Sequence, residues 1–144
     1  MFIRPDEIRP DDQYYWVTEN GDGSFSATPK QLEDREEVDQ DGNPMFVKVL
    51  GMVDGQPAMV DSEKRLVSRG LKSQWIAKVK HSANITLAQT DWMVIRKAER
   101  NVDIPAEVAT YRAAIIAWAA ATESAIAAVS TVEELKAINL GVSI

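Results

Sequence analysis

Residues Asn84 to Arg112 read NITLAQTDWMVIRKAERNVDIPAEVATYR, and how this stretch is read decides the fold. Upstream, Leu71, Trp75, Val79, Ala83 and Leu87 recur every four residues, which keeps them on one side of a helix. Downstream of Pro105, the residues Val108, Tyr111, Ile115, Trp118, Thr122, Ala125 and Val129 follow a three-four spacing close to a heptad seam. Proline suits the first turn of that second helix, and Glu107 complements its dipole. Between the two runs stand Thr90-Asp91-Trp92 and an irregular connection closed by Ile104 and Pro105, so the stretch reads as the bend of a helical hairpin. Thr90 and Asp91 are short polar side chains suited to bonding amides left open where a helix ends. Trp92 is expected to fold back as a plug between the helices, its indole N–H needing one acceptor.

The rest of the chain falls into place around this hairpin. A short last helix is predicted at STVEEL, where Ser130 or Thr131 caps, Glu133 or Glu134 closes a capping box, and Gly141 ends the element. Before about Arg65 the pattern is different. Turn formers recur at Asn20-Gly21-Asp22-Gly23, Asp41-Gly42-Asn43-Pro44 and Asp54-Gly55-Gln56-Pro57, separating the short apolar runs YYWV, MFVKVLGMV and AMV. MFVKVLGMV alternates imperfectly, with Phe46 and Lys48 on one face and Met45, Val47 and Val49 on the other, and Gly51 is the expected site of a bulge or bend. The expectation is an α+β chain: a β-hairpin meander over residues 1–65, then a helical hairpin with a short last helix over residues 66–144. Tyr14, Tyr15 and Trp16 are expected in the core of the first part.

Composition narrows the function classes. A chain of 144 residues with 45% hydrophobic and 26% charged residues is of ordinary globular make-up, large enough for one core but not for two full domains. The net charge of −6 argues against nucleic acid as partner, which requires clustered Lys and Arg. The absence of cysteine rules out disulfides, thiolate metal sites and cysteine nucleophiles together. MFIRPDEIRPDD does not have the make-up of a secretory signal, and AAIIAWAAATESAIAAV is interrupted by Thr122, Glu123 and Ser124, so the expectation is a cytoplasmic chain with no membrane partner.

Sites of chemistry are not announced. Asn20, Asp22 and Ser24 have the oxygen spacing of a calcium loop, but Phe25 stands where glycine is needed and Gln31 where a bidentate glutamate belongs. Asp39, Asp41 and Asn43 fail likewise, with Leu50 in the closing position. Both read as hairpin turns. His81, the only histidine, would have to build a zinc set from carboxylates alone, so no metal site and no cofactor is expected. Hydrolase, phosphate-loop and metalloprotease signatures are missing, and EDREE and DD read as solvated runs. The chain is therefore expected not to be an enzyme.

The order of Asn84, Leu87, Thr90, Asp91 and Trp92 (N-x-x-L-x-x-T-D-W), then MVIRKAE, Ile104-Pro105, Tyr111-Arg112 and a closing TVEEL resembles the tail-fibre assembly proteins, or tail assembly chaperones, of tailed bacteriophages. The resemblance covers the second half of the chain. It departs from the family at Ala83, and at Ile115 and Ile116, where many members carry arginine. It implies a factor that helps a tail-fibre polypeptide fold, oligomerise or attach in the host cytoplasm, and in some systems stays on the finished tail. The alternative reading is a permanent virion part, such as a connector or fibre-tip subunit. In either case the long second helix is expected to outreach its intramolecular partner. Ile115, Trp118 and Ile126 then become the candidate contact with the fibre or with a second copy of this chain, while Thr90, Asp91, Trp92, Tyr111 and Arg112 form the structural corner.

Overall fold

The computed structural model describes residues 1–144 throughout. Seven strands precede four helices, giving an α+β fold with the elements segregated along the chain. β1 (Phe2–Ile3), β2 (Tyr15–Glu19) and β3 (Phe25–Pro29) form an antiparallel sheet in the order β1-β3-β2. β4 (Arg35–Glu36) pairs with β7 (Val67–Ser68), and β5 (Phe46–Val53) with β6 (Gln56–Arg65). The helices are α1 (Leu71–Ala88), α2 (Asp91–Arg100), α3 (Ala106–Ala128) and α4 (Val132–Lys136). No helix is long and apolar enough to cross a membrane.

The turn residues do what their chemistry allows. Asp22 Oδ1 accepts from the Ser24 amide at 2.9 Å, folding the β2–β3 connection, and Asp39 Oδ1 accepts from the amides of Asp41 and Asn43. Both carboxylates are thereby spent inside their own turns, and no group of three or more His, Asp or Glu is placed to hold a metal ion. The β5–β6 hairpin turns at Asp54 and Gly55, both at positive φ, as a two-residue turn matched to strand twist requires. The irregularity in this hairpin does not lie at Gly51, as the sequence suggested. Gly51 pairs regularly with Ala58, whereas Phe46 faces Arg65 and Lys48 faces Asp61, so two steps along β5 oppose four along β6. Gly51 answers to crowding instead, since a Cβ there would stand 2.7 Å from Val60 Cγ2.

The core lies where the first sheet meets the helices. Alternation in β2 turns Tyr15 and Val17 inward and Trp16 outward, and Ala27 of β3 lies opposite Val17. Tyr15 and Ala27 pack with Leu71, Trp75 and Val79 of α1, with Ile126 and Val129 at the end of α3, and with Val132 and Leu135 of α4. Of the aromatic triplet, then, Tyr15 is core and Tyr14 leans on Trp75 with ring centroids 5.2 Å apart, but Trp16 is 67% exposed and contradicts the core expectation. Lys72 ties the layers together, its Nζ donating to Glu33 Oε1 at 2.5 Å and to the Ala127 carbonyl at 2.9 Å. Thr131 caps α4 by accepting from the Glu134 amide, while Glu134 Oε2 reaches back to the Ser130 amide at 2.9 Å. α4 stops at Lys136, five residues before Gly141, so that glycine is not its terminator.

Candidate partner-binding surface

The seam expected to bind a partner is occupied by the protein itself. Ile115 and Ile126 are 0% exposed, and Trp118 is half-buried against the core. The sequence reading allowed α3 only one intramolecular neighbour, α1. The β1-β3-β2 sheet and α4 supply the missing cover, so Ile126 and Val129 close the core and do not project past it. The buried line also drifts off the strict heptad. Thr122, Ile126 and Val129 are buried while Tyr111 and Ala125 are exposed, because a straight helix of 3.6 residues per turn rotates away from a 3.5-residue repeat.

The structure brings Thr90, Asp91 and Arg112 together. The Arg112 guanidinium on α3 donates from Nη1 to the Leu87 carbonyl and to Thr90 Oγ1, both at 2.8 Å, and from Nη2 to Asp91 Oδ1 at 2.9 Å. One side chain thus adds a charged donor to the Leu87 carbonyl, which also accepts from the Thr90 amide at 3.0 Å, anchors the joint residue, and pairs with the acid in the first turn of α2. Trp92 and Tyr111 take no part in it. Trp92 is 53% exposed with Arg96 stacked 4.8 Å above its ring, and so is not the expected plug. The reason is that its neighbours are helical. Residues expected as an irregular connection form α2, with Asp91 in the first turn, Lys97 and Arg100 in the last, and Asn101 closing it in the left-handed conformation. Trp92 falls on the solvent side of that helix, none of whose residues is buried.

Apolar surface is left open on the β5–β6 ribbon and also on the helical part, at Ile85, Trp92, Val94, Ile95 and Ile116. Leu50 pairs with Met59 and Met52 with Pro57, and Leu50, Met52 and Met59 are 74%, 65% and 60% exposed. Lys48 and Asp61 form an ion pair along the same face, which fixes the register beside the apolar patch. The opposite face carries Val49 and Val53, which are also exposed. No third strand joins the ribbon, so its outer edges offer unpaired backbone groups as well. The sequence reading missed this surface although the signal was present. A strand apolar on both faces must be covered on both or wait for a partner.

Where the first sheet meets α4, the Tyr15 hydroxyl donates to Glu133 Oε1 at 2.6 Å. Holding that proton against a carboxylate, with burial adding to the effect, pushes the Tyr15 phenol up to about 12, and the same bond holds Glu133 below the ordinary carboxylate range. Lys136 lies 5.3 Å from the Tyr15 ring centroid. Each group there is consumed by its neighbour, which makes the cluster a structural clasp.

No family model, curated protein or solved structure matches the chain.

Proposed function

We propose that this chain is a non-enzymatic assembly factor of a tailed bacteriophage, which binds a tail-fibre polypeptide and aids its folding, oligomerisation or attachment. The observation that carries this reading is the β5–β6 ribbon: a long hairpin with Leu50, Met52 and Met59 in solvent and both edges open. An isolated two-stranded ribbon is marginally stable in water, and an apolar patch of this kind suits strand addition to a partner rich in β-structure. The resemblance of the second half to tail-fibre assembly proteins supports the choice of partner, and the Thr90–Asp91–Arg112 joint accounts for its T-D pair and its arginine as structural residues.

Co-expression with the fibre of the same phage tests the reading. The fibre should be recovered soluble and bound to this chain, and a Leu50→Lys, Met59→Lys double variant should fold but lose most of the bound fibre. Equal recovery of soluble fibre with and without this chain would count against assembly help of any kind. Stoichiometric presence of the chain in purified particles would favour the permanent virion part over a transient factor.

A further inference from the structure

We propose that a cationic cleft between the first sheet and the start of α1 binds an acidic peptide segment. The cleft has a volume of about 310 Å³ and is lined by Lys30, Arg35 and Arg69 around Trp16, with no carboxylate in its wall. That composition runs against the rest of the molecule, whose net charge is −6. Its cations are also largely unspent. Lys30 Nζ lies 4.6 Å over the Trp16 ring and forms no ion pair. Arg69 gives one Nη–H to the Ser73 carbonyl at 3.1 Å, which leaves the rest of its fork free. Arg35 pairs with Glu37 at a loose 3.4 Å, a carboxylate shared with the Ser68 hydroxyl, while Asp34 and Asp12 lie near enough to Arg69 and Lys30 to feel their charge without forming an ion pair.

The remaining walls specify the ligand more closely. Gln31 and Gln74 donate their amide N–H groups to the carbonyls of Ser68 and Arg69, both at 3.2 Å, which fixes both side chains and leaves their oxygens as acceptors. The exposed face of Trp16 offers a flat apolar platform beside them. The backbone amides at the start of α1 are taken, which removes a helix-terminus anion site: Leu71 and Lys72 donate to the carbonyls of Gln31 and Leu32, and Gly70 to Asp34 Oδ1. What remains are guanidinium forks and an ammonium for carboxylates, amide oxygens for peptide N–H groups, and an aromatic face for an apolar side chain. A polypeptide with glutamates flanking an apolar residue presents all three. The proposal goes beyond the fibre reading and uses none of the ribbon residues.

The test is a two-dimensional ¹⁵N NMR titration of the full chain with the blocked peptide acetyl-Ala-Glu-Leu-Glu-Ala-amide. Its glutamine counterpart, inorganic phosphate and glucuronate serve as comparisons. Saturable shifts of the Trp16 indole and of the Gln31 and Gln74 side-chain amides are expected with the glutamate peptide, weakening as salt is raised. A folded Lys30→Gln, Arg69→Gln variant should bind about tenfold more weakly or worse, while the Leu50→Lys, Met59→Lys variant should bind as the parent does. Equal shifts with the glutamine peptide, undiminished binding by the Lys30→Gln, Arg69→Gln variant, or tighter binding of phosphate or glucuronate would each overturn the proposal.

Discussion

Arg112 holds three acceptors at the bend between the helices, and its side chain is only 16% exposed. Arg112→Ala should therefore cost roughly 2 kcal/mol, the range for losing hydrogen bonds to a charged group, and Arg112→Lys should recover little because an ammonium lacks the planar fork. Asp91→Asn should cost less than about 1 kcal/mol, since that partner is half in solvent; urea denaturation of the three variants checks the order. Trp92→Ala should be mild, under about 1 kcal/mol, whereas Trp75→Ala should cost about 3 to 5 kcal/mol as a buried aromatic deletion. A larger loss for Trp92 than for Trp75 would reverse the assignment of plug and surface. The sequence reading grouped Thr90, Asp91, Trp92, Tyr111 and Arg112 at one corner, whereas the hydrogen bonds join Thr90, Asp91 and Arg112 and leave Trp92 and Tyr111 outside. The division depends on α2 starting at Asp91, and the ten residues between Thr90 and Asn101 carry a marked polar–apolar asymmetry that the reading of an irregular connection passed over. The dipole-matched ends of α2, Asp91 and Lys97 with Arg100, were a second signal.

The elements meet at two joints that behave differently under test. Gly70 precedes α1 with ordinary extended dihedrals, yet a Cβ there would stand 2.2 Å from the Leu32 carbonyl oxygen and 2.4 Å from that of Glu33. Backbone gives way less readily than a side chain, so Gly70→Ala should destabilise by about 1 to 3 kcal/mol or more, read as a lowered melting temperature. The second joint is Tyr15 with Glu133, and it is pH-dependent. Glu133 is depressed, so its contribution is complete above its ordinary value of 4.5 and is lost as pH falls through the folded value. Tyr15 is raised, so its contribution is complete below 10 and is lost as pH rises toward about 12. Tyr15→Phe should lower the melting temperature near neutrality and match the parent at both extremes; a constant difference across the range would contradict the clasp. The helix spacing at Leu71, Trp75, Val79 and Ala83 was legible because each of those residues packs inward. The heptad reading of α3 was less so, because cover from Ala27 and Leu135 lies far away in sequence and leaves no local trace.

At the scale of the whole molecule, the split near residue 65 marks a change of secondary structure, and the core crosses it. Tyr15 and Ala27 from the first part are buried among helical residues from the second, so the early sheet and the helices share one interior. That shared interior takes in Ile126, Ile115 is buried as well, and the β5–β6 ribbon remains an exposed apolar face with open strand edges. Hydrogen exchange measured with and without the bound fibre tests the resulting claim most directly, because amides in a lone ribbon open readily and amides in a completed sheet do not. The expected result is fast exchange across residues 46–65 in the free chain and strong protection of the same residues in the complex, with α3 unchanged. Protection confined to the helices, with the ribbon exchanging as fast in the complex as alone, would contradict it.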